Sequence, residues 1–324
     1  MTTTAATPPA TSNAAAWACI TLLSLAVLIA QWARPMPVET RSLNSLAIAC
    51  VALGGAALFY RHVRIRDNFA VMCTALMQVL LFSALGSILS YLLTRNSGAL
   101  WDPTFARWDR ALGFNWLQYV RWVDRSAALA GLFRVAYASL IPQVIVLVLA
   151  LGFAMRLGQL RAVMLAAILC GTVCVLVSPL FPAASNYVQL GLTAADFRNV
   201  DPWAGYIHLA DFNALRDGTM DQLDLAKMQG IITFPSYHAG LSAVTLWGFW
   251  TSGVLWLKWT GPFVALATII ATPVDGGHYF VDVLAGVAIA IVSIVIAVKA
   301  VRWNPAWPRL TASPFRRSHA ASGQ

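Results

Sequence analysis

Apolar residues run along this chain in long blocks separated by short polar connections. Eight blocks stand out, at 14–32, 44–60, 69–93, 133–153, 162–181, 238–257, 260–274 and 279–300. Crossing the ~30 Å hydrocarbon layer of a bilayer takes about 20 apolar residues as helix. The pattern therefore predicts an all-α fold, a polytopic transmembrane bundle of about eight spans, with 260–274 the shortest of them. No internal repeat interrupts the series.

The polar connections carry their own pattern. Between the third and fourth blocks, Trp101, Trp108, Trp116, Tyr119 and Trp122 alternate with arginines and aspartates, a mixture suited to amphipathic helix lying in the headgroup region. Residues 1–13 are polar and proline-containing and lack the basic start of a secretory signal, so the first apolar block reads as a retained helix. Eight spans put both termini on one side. That side collects Arg61, Arg64, Arg66, Arg156, Arg161, Lys258 and the basic tail over 302–324, which makes it cytoplasmic by the positive-inside rule. The long 183–237 connection, rich in aspartate, and the turn at 273–277 then face outward. The expected location is the inner (plasma) membrane.

Composition agrees with this picture. Of 324 residues, 59% are hydrophobic and 11% charged. The net charge of +9 belongs to loops and tail, so it reports membrane topology and gives no reason to expect nucleic acid. Cys19, Cys50, Cys73, Cys170 and Cys174 all fall inside apolar blocks and read as small buried hydrophobes.

Two stretches break the apolar logic. In GGHYFVDVLAG, His278 and Asp282 are four residues apart at the mouth of the last span, one above the other if a helix starts near 278. Ionisable groups at such a position are costly unless paired or hydrated. Asp282 could hold the proton on one ring nitrogen and leave the other nucleophilic, or the two could simply hydrogen-bond helices together. In GIITFPSYHAG, Pro235 and Ser236 look like a helix start with His238 in the first turn, and a helix N-terminus suits a phosphate. The span directions bring His238 and His278 to the same outer face.

Both stretches resemble signature motifs of the type 2 phosphatidic acid phosphatase superfamily, P-S-x-H followed by H-x-x-x-D. The form H-Y-x-x-D-x-x-x-G preceded by G-G is most similar to the inositolphosphotransferase and inositol phosphorylceramide synthase branch. The motif-bearing match covers roughly 211–290, and the helix layout extends it to about 69–300. The resemblance implies a six-helix catalytic membrane domain over 69–301, preceded by two additional helices over 14–68. It also implies a nucleophilic His278 that forms a phosphohistidine, an orienting Asp282, a His238 that protonates the leaving oxygen, and phosphate contacts from Ser236 and Gly277. No metal or cofactor is implied. The substrate would be a lipid phosphate drawn from the membrane, with water or a polyol such as inositol as acceptor.

The superfamily pattern also carries cations that this sequence lacks. Thr272 stands where an arginine precedes the third-motif histidine, and Ser178–Ala183 holds no cation where the first motif belongs. A phosphoryl site needs positive charge against developing oxyanions. Arg216 and Lys227 are the nearest candidates in sequence. Asp275 could bind the acceptor or cap its turn, and His208 and His319 read as solvated. Three other readings remain at this level: a zinc hydrolase built on His238, His278 and Asp282, a transporter with a His–Asp proton relay, and a non-catalytic protein of the same fold.

Overall fold

A computed structural model describes residues 13–301. The N-terminal tail before Asn13, His319 and the basic tail from 302 lie outside the described residues. The helices are α1 (Ala14–Ala33), α2 (Thr40–His62), α3 (Asp67–Thr94), α4 (Asp102–Ala111), α5 (Trp116–Asp124), α6 (Ala127–Ala138), α7 (Leu140–Phe153), α8 (Leu157–Val177), α9 (Asn186–Gln189), α10 (Trp203–Tyr206), α11 (Leu209–Asp217), α12 (Tyr237–Trp250), α13 (Leu255–Asp275) and α14 (Phe280–Ala300). No strand is present among the described residues; one bridge joins Val38 to Leu223.

Among the described residues, six helices (α1, α2, α3, α8, α13 and α14) are long and apolar enough to cross a membrane, and the bent pair α6–α7 makes a seventh. Their outward faces carry Leu28, Ile48, Val51, Phe263 and Val292 in the open. An apolar face on both sides of a helix is what a lipid solvent permits.

The sixth and seventh expected spans differ from the prediction. The expected 260–274 is a full helix, Leu255–Asp275, whereas the expected 238–257 ends at Trp250, a helix of only 14 residues. Thr251, Ser252 and Gly253 turn the chain there, with Gly253 at φ +74, a conformation glycine adopts without strain. The fourth expected span is bent by 52° between Ala138 and Leu140. Pro142 has no N–H to donate back to the preceding turn. Ser139 Oγ donates to the Ala136 carbonyl at 2.7 Å, and Gln143 Nε2 donates to both Ser139 Oγ and Thr268 Oγ1 at 2.9 Å. The bend is therefore held by side chains that repair the interrupted ladder.

α12 sits centrally, packed on α8, α13 and α14, while α1 packs on α3 and α8 and α2 lies on α3. Glycine sets the closest approach. A Cβ on Gly286 of α14 would stand 2.1 Å from the Ser236 carbonyl oxygen, and one on Gly240 of α12 would stand 2.9 Å from the Gly286 carbonyl oxygen. Small residues let two backbones meet in this way. The connection between α1 and α2 is stitched to the long loop: Glu39 N–H donates to the Leu223 carbonyl at 2.7 Å, and Leu223 N–H to the Pro37 carbonyl at 2.8 Å.

α4 and α5 fill the segment expected to lie in the headgroup region. Trp108 and Trp122 are exposed, as that reading requires. Trp116 is not: it is buried and donates its indole N–H to the Pro273 carbonyl at 2.9 Å. The five cysteines are free thiols, two of them (Cys170, Cys174) fully buried.

Candidate active site

Two helix starts meet at the end of the bundle that carries the 181–236 connection. Ser236 is the N-cap of α12, and its hydroxyl accepts the Ala239 N–H at 3.3 Å, as the Pro-Ser sequence predicts. Its own N–H donates to the Asp282 carbonyl at 3.0 Å, which locks α12 against the first turn of α14.

His278 does not begin that helix. α14 starts at Phe280, and Asp282 in its first turn accepts the Tyr279 N–H at 2.9 Å. The helix start has moved two residues on because a carboxylate at the third helical position caps the chain preceding it. The expected pair still forms: His278 Nδ1 lies 3.3 Å from Asp282 Oδ2, and Nε2 lies 3.3 Å from Ser236 Oγ. Placing the ring proton on Nδ1, toward the carboxylate, leaves Nε2 with its lone pair against the serine. Burial, then the nearby imidazoles His238 and His208, push the pKa of His278 down, so the neutral, nucleophilic form is favoured.

His238 occupies the first turn of α12, its ring stacked on Tyr137 with centroids 4.6 Å apart and planes 7° from parallel. Stacking fixes the ring without using either nitrogen. Gly277 has φ +65, and its carbonyl accepts the Asn186 N–H at 3.0 Å. A side chain there would also crowd Ser185 and Tyr187. The end of α13 just before it is pinned, with Tyr187 Oη donating to the Val274 carbonyl at 2.8 Å.

His238 and His278 line one cavity of about 190 Å³, together with Tyr137, Thr233 and Gly276. The sequence reading of His208 as solvated is overturned here: it is 4% exposed and lines the same cavity. Its Nε2 faces the Ala184 carbonyl at 3.0 Å, and burial pushes its pKa down against the pull of the Ala184 and Ala204 carbonyls. The flanking Ile207 and Leu209 were the only sign of this in the sequence.

The two candidate cations are elsewhere. Arg216 reaches back to Ser97 and Gly98, with Nη1 donating to Ser97 Oγ at 2.7 Å and Nη2 to the Gly98 carbonyl at 3.0 Å. Lys227 pairs with Asp224 at 3.1 Å and lines a separate groove. Neither lines the histidine cavity, whose described walls hold no lysine or arginine. The positive field there comes from the N-terminus of α12, whose first N–H groups have no partner within the helix, whereas those of α14 are taken by Asp109. Asp275 is buried with one oxygen unpartnered, and it too is absent from the cavity wall.

Two buried carboxylates escaped sequence reasoning. Asp102 and Asp109 lie two turns apart on one face of α4, each 2% exposed. Asp102 accepts the Tyr279 hydroxyl at 2.8 Å and the Ala184 N–H at 3.0 Å. Asp109 accepts the Phe280 and Val281 N–H groups at 2.8 and 2.9 Å. Burial pushes the pKa of each upward, opposed by these N–H donors. The helix read as a membrane-surface element thus also grips the residues that follow His278.

Compared with known proteins, the chain matches the profile of the PAP2 superfamily over residues 103–296. The chain belongs to the PAP2 superfamily. The match begins within α4 and ends within α14, so it spans the whole histidine cavity apart from the α3 wall and leaves α1 and α2 outside. No curated protein and no solved structure matches the chain. Its membership and its apolar helices make it a membrane protein of phosphatase type.

Proposed function

We propose that this PAP2 protein hydrolyses or transfers the phosphate of a lipid phosphate ester through a phosphohistidine on His278. The observation that carries the reading is a single imidazole held at both nitrogens, 3.3 Å from Asp282 on one side and 3.3 Å from Ser236 on the other, in a cavity shared with His238. Nε2 of His278 attacks phosphorus while the bond to the ester oxygen breaks. His238 gives its proton to that leaving oxygen, and Asp282 stabilises the charge gained by His278. In the second step His238 takes a proton from water or an alcohol, whose oxygen attacks phosphorus and frees His278. Ser236 and the first N–H groups of α12 hold the non-bridging oxygens. No step calls for a metal.

The distribution of basic residues supports a site on the outer face of the membrane with both termini cytoplasmic. The similarity of G-G-H-Y-x-x-D-x-x-x-G to the inositolphosphotransferase branch favours a polyol acceptor. So does the cavity wall, where Ser83, Ser87 and Ser90 of α3 and Gln229 supply hydroxyl and amide groups suited to a polyhydroxylated partner.

The test is phosphate release from a panel of lipid phosphates by purified protein in detergent with EDTA, comparing wild type with His278→Ala. Release by wild type and a loss of about 10²-fold or more in the variant is expected. Transfer to inositol in place of release would select the transferase form. Neither activity from wild type would sink the catalytic reading.

A further inference from the structure

The cavity that holds the histidines is small, and it shares an edge of α3 with a neighbour. Ser83 and Ser87 of α3 line it on one side, and the same two residues line a second groove of about 610 Å³ between α2 and α3. That volume falls in the range of ordinary ligand sites, roughly 300–1,000 Å³. Leu46 and Ala49 of α2 and Leu80 and Ala84 of α3 form its aliphatic walls under Leu225 and Met228, and Glu39, Arg41, Asp224 and Lys227 line the rest.

The cover is a strap of chain tied down at several points. Leu223 is bonded to the α1–α2 connection, Leu225 N–H donates to Ser42 Oγ at 3.4 Å, and Gln229 N–H donates to the Tyr91 hydroxyl at 2.8 Å. The strap then continues through Gly230–Thr233 along the histidine cavity itself. One continuous segment therefore borders both spaces.

We propose that the α2–α3 groove receives a hydrocarbon chain of the lipid whose phosphate lies at His278. The proposal rests on the lipid-phosphate reading and adds to it where the chain goes. Ser83 and Ser87 border both spaces, so a lipid whose phosphate lies among the histidines meets, past that edge of α3, the aliphatic stretch of Leu46, Ala49, Leu80 and Ala84, with the charged residues on the rest of the groove. Moving a chain from lipid into this groove gains little hydrophobic free energy, because the bilayer is as apolar as leucine. The groove therefore acts by shape, accepting or rejecting chains, and its effect is on selectivity. Since α2 lies outside the family match, this selectivity belongs to the chain's own N-terminal addition.

The experiment fills the groove from each wall in turn, with Ala84→Phe and Ala49→Phe in the full-length protein. Each variant is assayed with a panel of lipid phosphates in mixed micelles, every headgroup supplied in a dioleoyl and a dihexanoyl form. The expected result is a fall of about tenfold or more in kcat/KM for the long-chain form with the short-chain form within about twofold. The retained short-chain activity also reports that the variant folds. Equal loss on both forms, or no loss on either, in both variants overturns the groove while leaving the lipid-phosphate reading intact. A wild type that turns over neither form of any headgroup fails the lipid-phosphate reading, and the groove proposal falls with it.

Discussion

Asp109 accepts the backbone N–H of Phe280 at 2.8 Å, so a carboxylate on a short amphipathic helix caps the helix that carries Asp282. The neighbouring Val281 N–H shares the cap, and two turns earlier Asp102 holds the Tyr279 hydroxyl. These bonds fix the chain immediately after His278. Removing the carboxylate in Asp109→Ala leaves two buried donors unsatisfied, which costs about 1–3 kcal/mol each at most, and lets the imidazole drift. A misplacement near 1 Å can cost on the order of 10²-fold in rate. We expect kcat to fall by about ten- to a hundredfold with KM little changed and Asp109→Asn intermediate, as read by steady-state kinetics beside thermal unfolding. A loss of stability with kcat intact would assign Asp109 to folding alone.

Asp282→Asn probes the charge beside the nucleophile. The Tyr279 N–H and His278 Nδ1 both meet Oδ2, so an amide oxygen at that position keeps both contacts, and its NH2 group takes the place of the unpartnered Oδ1. The ring proton stays on Nδ1, and what is lost is the negative charge that stabilises the imidazolium formed as Nε2 attacks. A fall in kcat on the order of 10²–10³ is expected with the unfolding temperature little changed. Activity within about tenfold of wild type would mean that Asp282 is a structural bond.

What the sequence disclosed, and what it withheld, follow one rule. The Pro-Ser-x-His and His-x-x-x-Asp spacings are local, and a cap or an i to i+4 contact can be read from neighbours in the chain. Ser236 as N-cap and the His278–Asp282 contact were therefore legible. Asp102 and Asp109 act on residues more than 170 positions away, and in sequence they look like part of a charged surface helix. His208 is buried by packing that its loop setting hides. Arg216 and Lys227 stand out in sequence because a phosphate site wants cations, yet a guanidinium or ammonium is also used wherever nearby carbonyl or carboxylate groups need a donor. The bend at Ser139 is legible from Pro142, a local signal, whereas the contact of Gln143 with Thr268 that holds it comes from a distant helix.

Gly286→Ala tests the close contact of α12 and α14. The new methyl would meet the Ser236 carbonyl carbon and oxygen at 3.0 and 2.1 Å. Both are backbone atoms in a capped helix start, so relief requires the helices to part. Overpacking of this kind costs about 1–3 kcal/mol or more, and the displaced segment carries Ser236 and His238. Lower thermal stability together with lost turnover is expected, whereas Gly131→Ala, which meets nothing within 4 Å, should leave both as they are. A Gly286→Ala protein with wild-type turnover would show that the contact does not set the site.

Asp124 supplies a stability prediction with a definite sign. Burial raises its pKa, but the N–H groups of Arg198, Asn199 and Val200 outweigh burial and hold the carboxyl below its ordinary value. A folded-state pKa below the unfolded one means that the unfolded chain binds the proton more readily, so this contribution is complete above about pH 4 and is lost as pH falls through the folded value. The physical content is a tie between the end of α5 and the 198–200 segment. Asp124→Asn keeps the shape and removes the charge, lowering stability by about 1 kcal/mol near neutral pH. Thermal unfolding of wild type and variant should therefore differ at about pH 7 and converge below about pH 4. A gap that persists unchanged to low pH would mean that the carboxylate charge is not its source.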